Sequence, residues 1–161
     1  MASARIDEPP LPAPSLRFRP MRAIDVPVVM DIERRAYDFP WTDGIFRDCL
    51  AVGYRCHVVL QDGMIAGYGV MTAAAGEAHI LNLCVDPHQR RRGLGRALLN
   101  HLIEDARAAG ATTLLLEVRP SNAAGIALYE QLGFKRIGMR KDYYPAKGGR
   151  EDAIMLERGI L

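Results

Sequence analysis

Two side chains in the second half of the sequence could take part in proton transfer. Glu117 is the one charged residue in the apolar run Thr112–Val118, and burying a carboxylate is costly unless it is paired or faces a cavity. An ion pair with Arg119 or with an arginine across the sheet is the structural alternative. Tyr129 lies on a predicted helix, where a tyrosine is ordinarily a core residue with a hydrogen-bonded hydroxyl.

A loop rich in glycine and arginine lies between an apolar run at 80–85 and an amphipathic stretch that begins at Gly95. Gly93 and Gly95 leave backbone N–H groups uncovered at the start of the predicted helix, where partial positive charge collects. Three arginines occupy positions 90–92, and Arg96 follows. This composition predicts a site for a phosphorylated anion and favours a functional role for the neighbouring carboxylate.

Two well-known nucleotide-binding patterns fit this loop poorly. A dinucleotide-binding fingerprint needs a third glycine, and Leu98 stands in that place. That fingerprint also gives no reason for the three arginines upstream. A nucleoside-triphosphate loop needs a Lys-Ser or Lys-Thr pair, which this loop lacks. A different phosphate-bearing ligand is therefore favoured.

The overall composition is that of one ordinary globular domain. Of the 161 residues, 49% are hydrophobic and 25% are charged, and the net charge of +2 indicates neither a nucleic-acid nor a membrane partner. No stretch approaches the roughly 18 apolar residues of a membrane span, so a cytoplasmic location is expected. The three cysteines have no CxxC spacing, which disfavours a disulfide framework and a metal site. Residues 1–15, with four prolines, are expected to form a flexible leader before a single domain at 16–161.

The first elements of the domain are predicted to be an edge strand and a helix. Residues 16–21 alternate apolar and polar side chains, as a strand with one buried face does. Asp25 is placed to cap the helix that follows, with Pro27 in its first turn. The apolar face of this helix is expected to contain Val28, Val29, Ile32 and Ala36.

A second helix and an antiparallel meander are predicted to follow. Thr42 or Asp43 caps the helix, which runs to about residue 50. Trp41, just before it, is either a hydrophobic plug between the helices or part of a substrate groove. Asp62-Gly63 separates two β-rich runs and is a strong hairpin signal.

A parallel pair of strands is predicted in the middle of the chain. A helix from Gly95 to Gly110 connects the 80–85 run to the 112–118 run. Two buried strands joined through a helix favour a parallel arrangement with a right-handed crossover.

The last third of the chain is predicted to contain a helix and two strands. Ser121 or Asn122 caps the helix, which stops near Gly133. The two strands, at 134–139 and 153–156, are expected to be joined by a long aromatic loop over residues 140–152.

The sequence resembles a known family at several separate positions. The pattern Arg90-x-x-Gly93-x-Gly95, directly after Val85-Asp86-Pro87, resembles the acetyl-coenzyme A (acetyl-CoA) loop of the GNAT N-acetyltransferases. Other stretches are similar to one branch of that family, the RimI-type bacterial ribosomal-protein alanine N-acetyltransferases. These stretches are Phe39–Thr42, Leu116–Asn122, Ala127–Phe134, Arg140–Pro145 and Gly149–Ala153. The resemblance extends over residues 16–156.

This resemblance implies the fold class and the cosubstrate. The implied fold is α/β (α+β), namely the GNAT fold: a mixed, mostly antiparallel central sheet, a parallel splayed strand pair at the acetyl-CoA site, and helices on both faces. Acetyl-CoA is the implied cosubstrate, with no metal. The residues implied to contact the coenzyme are Leu83, Cys84, Val85, Arg90, Arg91, Arg92, Gly93, Leu94, Gly95, Arg96 and Asn122.

The resemblance also implies the reaction and the partner. Glu117 would be the general base and Tyr129 the general acid in acetylation of the N-terminal alanine of a small-subunit ribosomal protein. The residues that could wall the peptide groove are Phe39, Trp41, Tyr143 and Tyr144. The implied partner is the peptide N-terminus of a ribosomal protein, with no direct contact to nucleic acid or membrane. We expect a monomer or a weak dimer.

Elementary chemistry agrees with these roles. A peptide α-amine has a pKa of about 7.7–8.0 and must lose a proton before it can attack a thioester. A carboxylate can accept that proton, and a tyrosine hydroxyl can protonate the departing thiolate. Cys84 is a competing nucleophile, but its apolar strand disfavours an activated thiolate.

Several alternative functions remain open at the level of sequence. Within the family, the acceptor could be another protein N-terminus, a lysine or a small-molecule amine. Outside it, residues 90–92 could belong to a nucleotide- or RNA-binding module, and a non-catalytic acyl-coenzyme A sensor would bind the coenzyme without acetylating anything.

Overall fold

The computed structural model describes residues 15–89 and 93–161, which form one seven-stranded sheet and four α-helices. The strands are β1 (Leu16–Pro20), β2 (Arg55–Gln61), β3 (Met64–Ala74), β4 (Glu77–Val85), β5 (Thr113–Val118), β6 (Lys135–Ala146) and β7 (Gly149–Gly159). The helices are α1 (Val26–Ala36), α2 (Asp43–Ala51), α3 (Leu94–Ala108) and α4 (Ala123–Gln131). Residues 1–14 and the predicted coenzyme contacts Arg90, Arg91 and Arg92 lie outside the described residues.

The sheet order is β1-β2-β3-β4-β5-β7-β6, so β1 and β6 are its two outer strands. β4 and β5 pair in parallel, and each other neighbouring pair is antiparallel. The predicted parallel crossover through α3 is therefore confirmed. The predicted hairpin between β2 and β3 is also confirmed: Asp62 and Gly63 both have positive φ angles, of 50° and 83°, as the tightest hairpin turns require.

Helices cover both faces of the sheet. Val58 and Val59 are neighbours on β2, yet Val58 packs in the cluster that contains α1 and α2 residues, and Val59 packs with Leu94 and Leu98 of α3. Successive side chains of a strand point to opposite faces, so α1 and α2 lie on one face and α3 on the other. The implied mixed sheet between two helical layers is thereby confirmed.

The parallel pair separates partway along its length. The paired register of β4 and β5 runs from Glu77–Thr113 to Ile80–Leu116, whereas β4 continues to Val85 and β5 to Val118. At the point of separation, the β3–β4 register shifts, and Leu81 is the extra residue of this bulge. A bulge bends the strand that carries it, so a gap opens between the ends of β4 and β5.

The prediction for the start of α1 was wrong in two respects. A 3-10 turn, Ala23–Asp25, precedes the helix, and the Asp25 carboxylate accepts the Arg22 N–H at 2.8 Å instead of an amide of α1. It also pairs with Arg19, whose guanidinium lowers the Asp25 pKa. Val28 is 46% exposed because the turn shifts the buried stripe to Val26, Val29, Met30, Ile32 and Glu33.

The long loop predicted over residues 140–152 is also wrong. β6 runs on to Ala146, β7 starts at Gly149, and the strands are joined by a tight turn in which Gly148 has a φ of 75°. Pro145 is compatible with this strand because β6 is an outer strand, where a missing backbone N–H costs nothing. Tyr143 and Tyr144 therefore belong to a hairpin and not to a loop.

A polar cluster ties α3 to the sheet. Arg55 of β2 donates two hydrogen bonds to Asp105 of α3, at 2.6 and 2.9 Å, and these bonds lower the Asp105 pKa. The His57 ring lies 3.2 Å from the same carboxylate, and His101 lies 3.2 Å from the other nitrogen of His57. The second half of α3 is thereby held against the sheet.

We predict that Gly67→Ala lowers the free energy of unfolding by about 2–3 kcal/mol. A Cβ on Gly67 would lie 2.6 Å from the Cys84 carbonyl oxygen and 3.3 Å from Val85 Cα, so the backbone of β3 or β4 must move. The control is Gly44→Ala in the first turn of α2, where the nearest atom is 3.8 Å away. That variant should gain up to about 1 kcal/mol from helix propensity. Urea unfolding of both variants checks this, and equal stabilities would contradict it.

Candidate active site

A cleft of about 990 Å³ opens where β4 and β5 separate. Its walls are the end of β4, the start of α3 and the start of α4. Among its lining residues are all the predicted coenzyme contacts that the structure describes: Leu83, Cys84, Val85, Gly93, Leu94, Gly95, Arg96 and Asn122. The structure therefore brings these residues, which are up to 39 positions apart in sequence, to one cavity.

The start of α3 has the geometry of an anion site. Gly93 adopts a left-handed conformation, with φ of 72°, immediately before the helix. The first backbone bond into the helix is Ala97 N–H to Gly93 O, at 3.1 Å, so the N–H groups of residues 94–96 have no acceptor within the helix. A Cβ on Gly95 would lie 3.2 Å from Leu128 Cδ2, so glycine lets α3 and α4 approach closely here. Bare amides beside an open cleft fit the diphosphate of a coenzyme.

Two polar side chains fix the far wall of this cleft. Asn122 accepts the Gly125 N–H at 3.0 Å and caps α4, as predicted. Arg96 donates to the Gln131 side chain at 2.6 Å, which ties the first turn of α3 to the end of α4. The two helices that border the cleft are thus linked across it.

A smaller cavity of about 300 Å³ contains both predicted catalytic residues. Glu117 and Tyr129 line it together, although they come from β5 and α4. The two cavities are adjacent, since both are lined by Tyr37, Phe39, Leu83, Arg119, Asn122 and Tyr129. Tyr129 therefore borders the larger cleft as well as the smaller cavity.

Glu117 forms ion pairs and also belongs to the lining of the smaller cavity. Its side chain is 10% exposed. His79 Nε2 lies 2.6 Å from Oε2, and Arg140 Nε donates to Oε1 at 3.2 Å. The neighbouring Arg119 pairs instead with Glu151, at 3.1 Å. Sequence analysis assigned no role to His79, because its proximity to Glu117 follows only from the parallel register of β4 and β5.

Tyr129 is buried at the junction of the two cavities. It is 7% exposed, and its ring meets the Phe134 ring edge-on at 5.8 Å. Burial raises the Tyr129 pKa to about 12. The hydroxyl therefore keeps its proton at neutral pH and can act as a donor.

Aromatic side chains from two distant segments meet around Arg119. Its guanidinium lies 4.4 Å from the Tyr144 ring centre and 5.9 Å from that of Phe39, and it donates to the Pro145 carbonyl at 2.8 Å. Among the residues predicted to wall a groove, Phe39, Trp41 and Tyr144 line the smaller cavity. Tyr143 packs edge-on against Tyr144, with Arg140 over its ring at 5.6 Å.

Glu33 is a cavity residue that the sequence analysis did not single out. It is 1% exposed and lines the smaller cavity. Its carboxylate accepts hydrogen bonds from the Tyr68 hydroxyl at 2.6 Å, from Asn82 Nδ2 at 2.9 Å and from the Trp41 N–H at 3.2 Å. A signal was present, because Glu33 continues the buried stripe of Val26, Val29 and Met30 at helical spacing. Trp41 packs between the helices and also lines the smaller cavity. Its ring packs on the Phe46 ring at 5.2 Å, and its backbone N–H donates to Glu33.

Comparison with known proteins identifies the class to which this fold and site belong. A family model described as Acetyltransferase (GNAT) family matches residues 26–134. The chain belongs to this family and is an acetyl-CoA-dependent N-acetyltransferase. The resemblance to the RimI branch is likewise confirmed by the relatives of the chain.

A curated relative is the [ribosomal protein bS18]-alanine N-acetyltransferase of Escherichia coli K12, which is 44% identical over 136 residues, 84% of this chain and 92% of the relative. The crystal structure of the ribosomal-protein-S18-alanine N-acetyltransferase from Escherichia coli has a TM-score of 0.85 and 42% identity, covering 91% of this chain and 94% of that chain. The yncA protein of Salmonella typhimurium, solved with acetyl-CoA, shares the fold at a TM-score of 0.76 and 21% identity, over 91% of this chain and 95% of that one.

Two further observations concern the described residues alone. Within residues 15–89 and 93–161, no group of three or more histidine, cysteine, aspartate or glutamate side chains could hold a metal ion. In the same part of the chain, no helix is long and apolar enough to cross a membrane.

We predict that Glu33→Ala lowers the free energy of unfolding by about 2–4 kcal/mol. The substitution leaves the fully buried Tyr68 hydroxyl, the Asn82 amide and the Trp41 N–H without their acceptor. Asp31→Ala on the same helix is the control: its side chain is 63% exposed beside Arg34, and the expected loss is below about 0.5 kcal/mol. Urea unfolding measures both, and a loss for Glu33→Ala as small as that of the control would contradict the prediction.

Proposed function

We propose that this N-acetyltransferase acetylates the α-amino group of a protein N-terminus, namely the N-terminal alanine of a small-subunit ribosomal protein. The observation that carries the proposal is that Glu117 and Tyr129 line one cavity, which adjoins the larger cleft. The relative that is 44% identical acts, by its name, on the alanine of ribosomal protein bS18. Such a substrate is made in the cytoplasm, which is where we place the reaction.

The larger cleft suits acetyl-CoA, which supplies the acetyl group as a thioester when bound. The amides of residues 94–96 and the Arg96 side chain would hold the diphosphate. Leu83, Cys84 and Val85 would lie along the pantetheine arm, and Asn122 would contact the arm from the opposite wall.

Glu117 is the proposed general base. An α-ammonium with a pKa of about 7.7–8.0 has to give up a proton before the nitrogen can attack. The Glu117 carboxylate faces the smaller cavity, where an acceptor amine would enter beside the aromatic walls. It can take the proton directly or through one water.

Tyr129 is the proposed general acid toward the departing sulfur. Its pKa of about 12 exceeds the value of about 8.5 for a thiol, so proton transfer to a free thiolate would be uphill by about 5 kcal/mol. Protonation by Tyr129 must therefore accompany the cleavage of the C–S bond, while charge is still developing on sulfur. At the start of this step, the Tyr129 hydroxyl would donate a hydrogen bond to the sulfur.

Direct transfer is favoured over an acyl-enzyme on Cys84. The Cys84 side chain is 3% exposed and lies beside the hydroxyls of Tyr37 and Tyr68. Burial raises the pKa of both tyrosines well above the ordinary value, so they keep their protons at neutral pH and neither can deprotonate the thiol. A nucleophilic cysteine needs a thiolate.

We expect Glu117→Gln and Tyr129→Phe each to lower turnover by about 10²–10⁴-fold, because each removes a group that moves a proton. The assay follows thiol release from acetyl-CoA with a peptide that begins with alanine, and the KM for acetyl-CoA should change little. The matched controls are Glu104→Gln, at an exposed α3 residue paired with Arg107, and Tyr54→Phe, at a half-exposed tyrosine outside the lining of either cavity. Full activity of Glu117→Gln would contradict the proposal that Glu117 is the general base.

The same assay tests the acceptor. A peptide with a free N-terminal alanine should be consumed, whereas the same peptide with a blocked N-terminus and an internal lysine should not. Turnover of the blocked peptide at an equal rate would favour the alternative acceptors, which are lysine or a small amine.

We predict that Tyr144→Ala raises the peptide KM by about tenfold, which corresponds to about 1.4 kcal/mol of lost contact. Tyr144 lines the smaller cavity and packs on Arg119, so its loss removes one wall of the groove. The KM for acetyl-CoA should stay within about threefold of the wild-type value. Tyr54→Ala is the control. Equal peptide KM values for the two variants would contradict a role of Tyr144 in peptide binding.

A further inference from the structure

His79 contacts the proposed base but does not belong to the described lining of the acceptor cavity. Its Nε2 lies 2.6 Å from Glu117 Oε2, and 31% of its side chain is exposed. Glu117 belongs to the described lining of the smaller cavity, and His79 does not. The histidine therefore exchanges protons with solvent while it touches the carboxylate that faces the acceptor.

The parallel register explains why this contact forms. His79 lies opposite Leu115 in the β4–β5 pair, and Leu115 and Glu117 share one face of β5 because side chains alternate along a strand. The His79–Leu115 pair lies one position before Ile80–Leu116, which is the last pair before the two strands separate. The contact is thus placed at the mouth of the gap that contains the active site.

The charges around the carboxylate make the state of His79 matter. Arg140 already donates to Oε1, but its side chain is 49% exposed and solvent screens its charge. Four further ionisable groups lie near this pair. Tyr144 is kept neutral by its raised pKa, and Arg119, which lines the same cavity, pairs with Glu151. Glu77 lies two residues before His79 on the same face of β4, and Glu157 of β7 lies opposite Leu115 on that face. A protonated His79 would therefore be the second cation on Glu117, at 2.6 Å.

We propose that His79 is a positioning residue that acts through Glu117 and makes turnover depend on whether the histidine is neutral. This inference rests on the proposed role of Glu117 as the base. Neutral His79 donates its Nε2–H to Oε2 and fixes the carboxylate while leaving its charge available. Protonated His79 forms an ion pair that holds the charge and weakens Glu117 as a base.

The protons balance in both states. A carboxylate can only accept, so Nε2 carries a hydrogen in either state, and the titrating proton is the one on Nδ1, exchanged with solvent. In the reaction, the N–H bond of the acceptor ammonium breaks, and an O–H bond forms on Glu117. That proton later leaves to water, and His79 gains or loses none of its own.

The test compares the pH profile of kcat for wild type and His79→Gln at saturating peptide and acetyl-CoA. Glutamine keeps an N–H donor for Glu117 but cannot ionise. At pH 8 we expect the variant to stay within about threefold of wild type, and between pH 8 and pH 5.5 wild-type kcat should fall about tenfold more than that of the variant, because only the wild-type enzyme has an ionisable ring in contact with Glu117. The acceptor amine is common to both enzymes, so only the difference between the two profiles counts.

The matched control is His57→Gln. His57 also contacts a carboxylate, that of Asp105, at 3.2 Å, but it lies outside the lining of both cavities, and its profile should follow that of wild type. Superimposable profiles of wild type and His79→Gln would overturn the inference. A loss of kcat in His79→Gln that is equal at every pH would also overturn it, since the histidine would then only hold the carboxylate in place.

The outcome is separable from that of the proposed function. If Glu117→Gln loses turnover and His79→Gln matches wild type at every pH, the base assignment stands and the inference fails. If Glu117→Gln keeps full turnover, the base assignment itself fails. His79→Asn, with a shorter amide, provides the same comparison should His79→Gln fail to fold.

Discussion

The separation of two parallel strands is the constraint on which the other features of this protein depend. β4 and β5 pair over only four positions, and both strands then continue without each other. Backbone groups that leave a ladder need other partners or access to a ligand, and here the gap becomes a cleft between two helices. The start of α3 lies at one wall and the start of α4 at the other, so the proposed coenzyme site depends on the early end of strand pairing.

Two carboxylates face the same cavity in opposite electrostatic settings. Glu33 is buried more deeply and is satisfied by three neutral donors, which suits a group that holds a wall of the cavity in place. Glu117 is held by two cationic or potentially cationic groups, each of which reaches solvent. The same side-chain type is thus held by neutral donors at one position, and at the other by groups that carry or can gain a positive charge.

Local signals in the sequence predicted the local parts of the structure. Asp62-Gly63, the Thr42 cap of α2 and the Asn122 cap of α4 depend on neighbouring residues alone, and each was found. The late hairpin was missed because Pro145 and the paired glycines suggest a loop. The outer position of β6 makes Pro145 compatible with a strand, and the glycines form a turn much shorter than the predicted loop.

The contacts of the site could be predicted less well. The bond from Tyr68 to Glu33 joins residues 35 positions apart, and that from His79 to Glu117 joins residues 38 apart. Such pairs depend on sheet register, which a single sequence does not specify.

The outer position of β6 has one more consequence. An edge strand presents open backbone groups to any other chain, and β6 bears exposed Lys135, Arg136, Arg140 and Lys141 together with Pro145. Two copies aligned along this edge would bring like charges to within about 5 Å, so the cations of β6 oppose edge-to-edge aggregation.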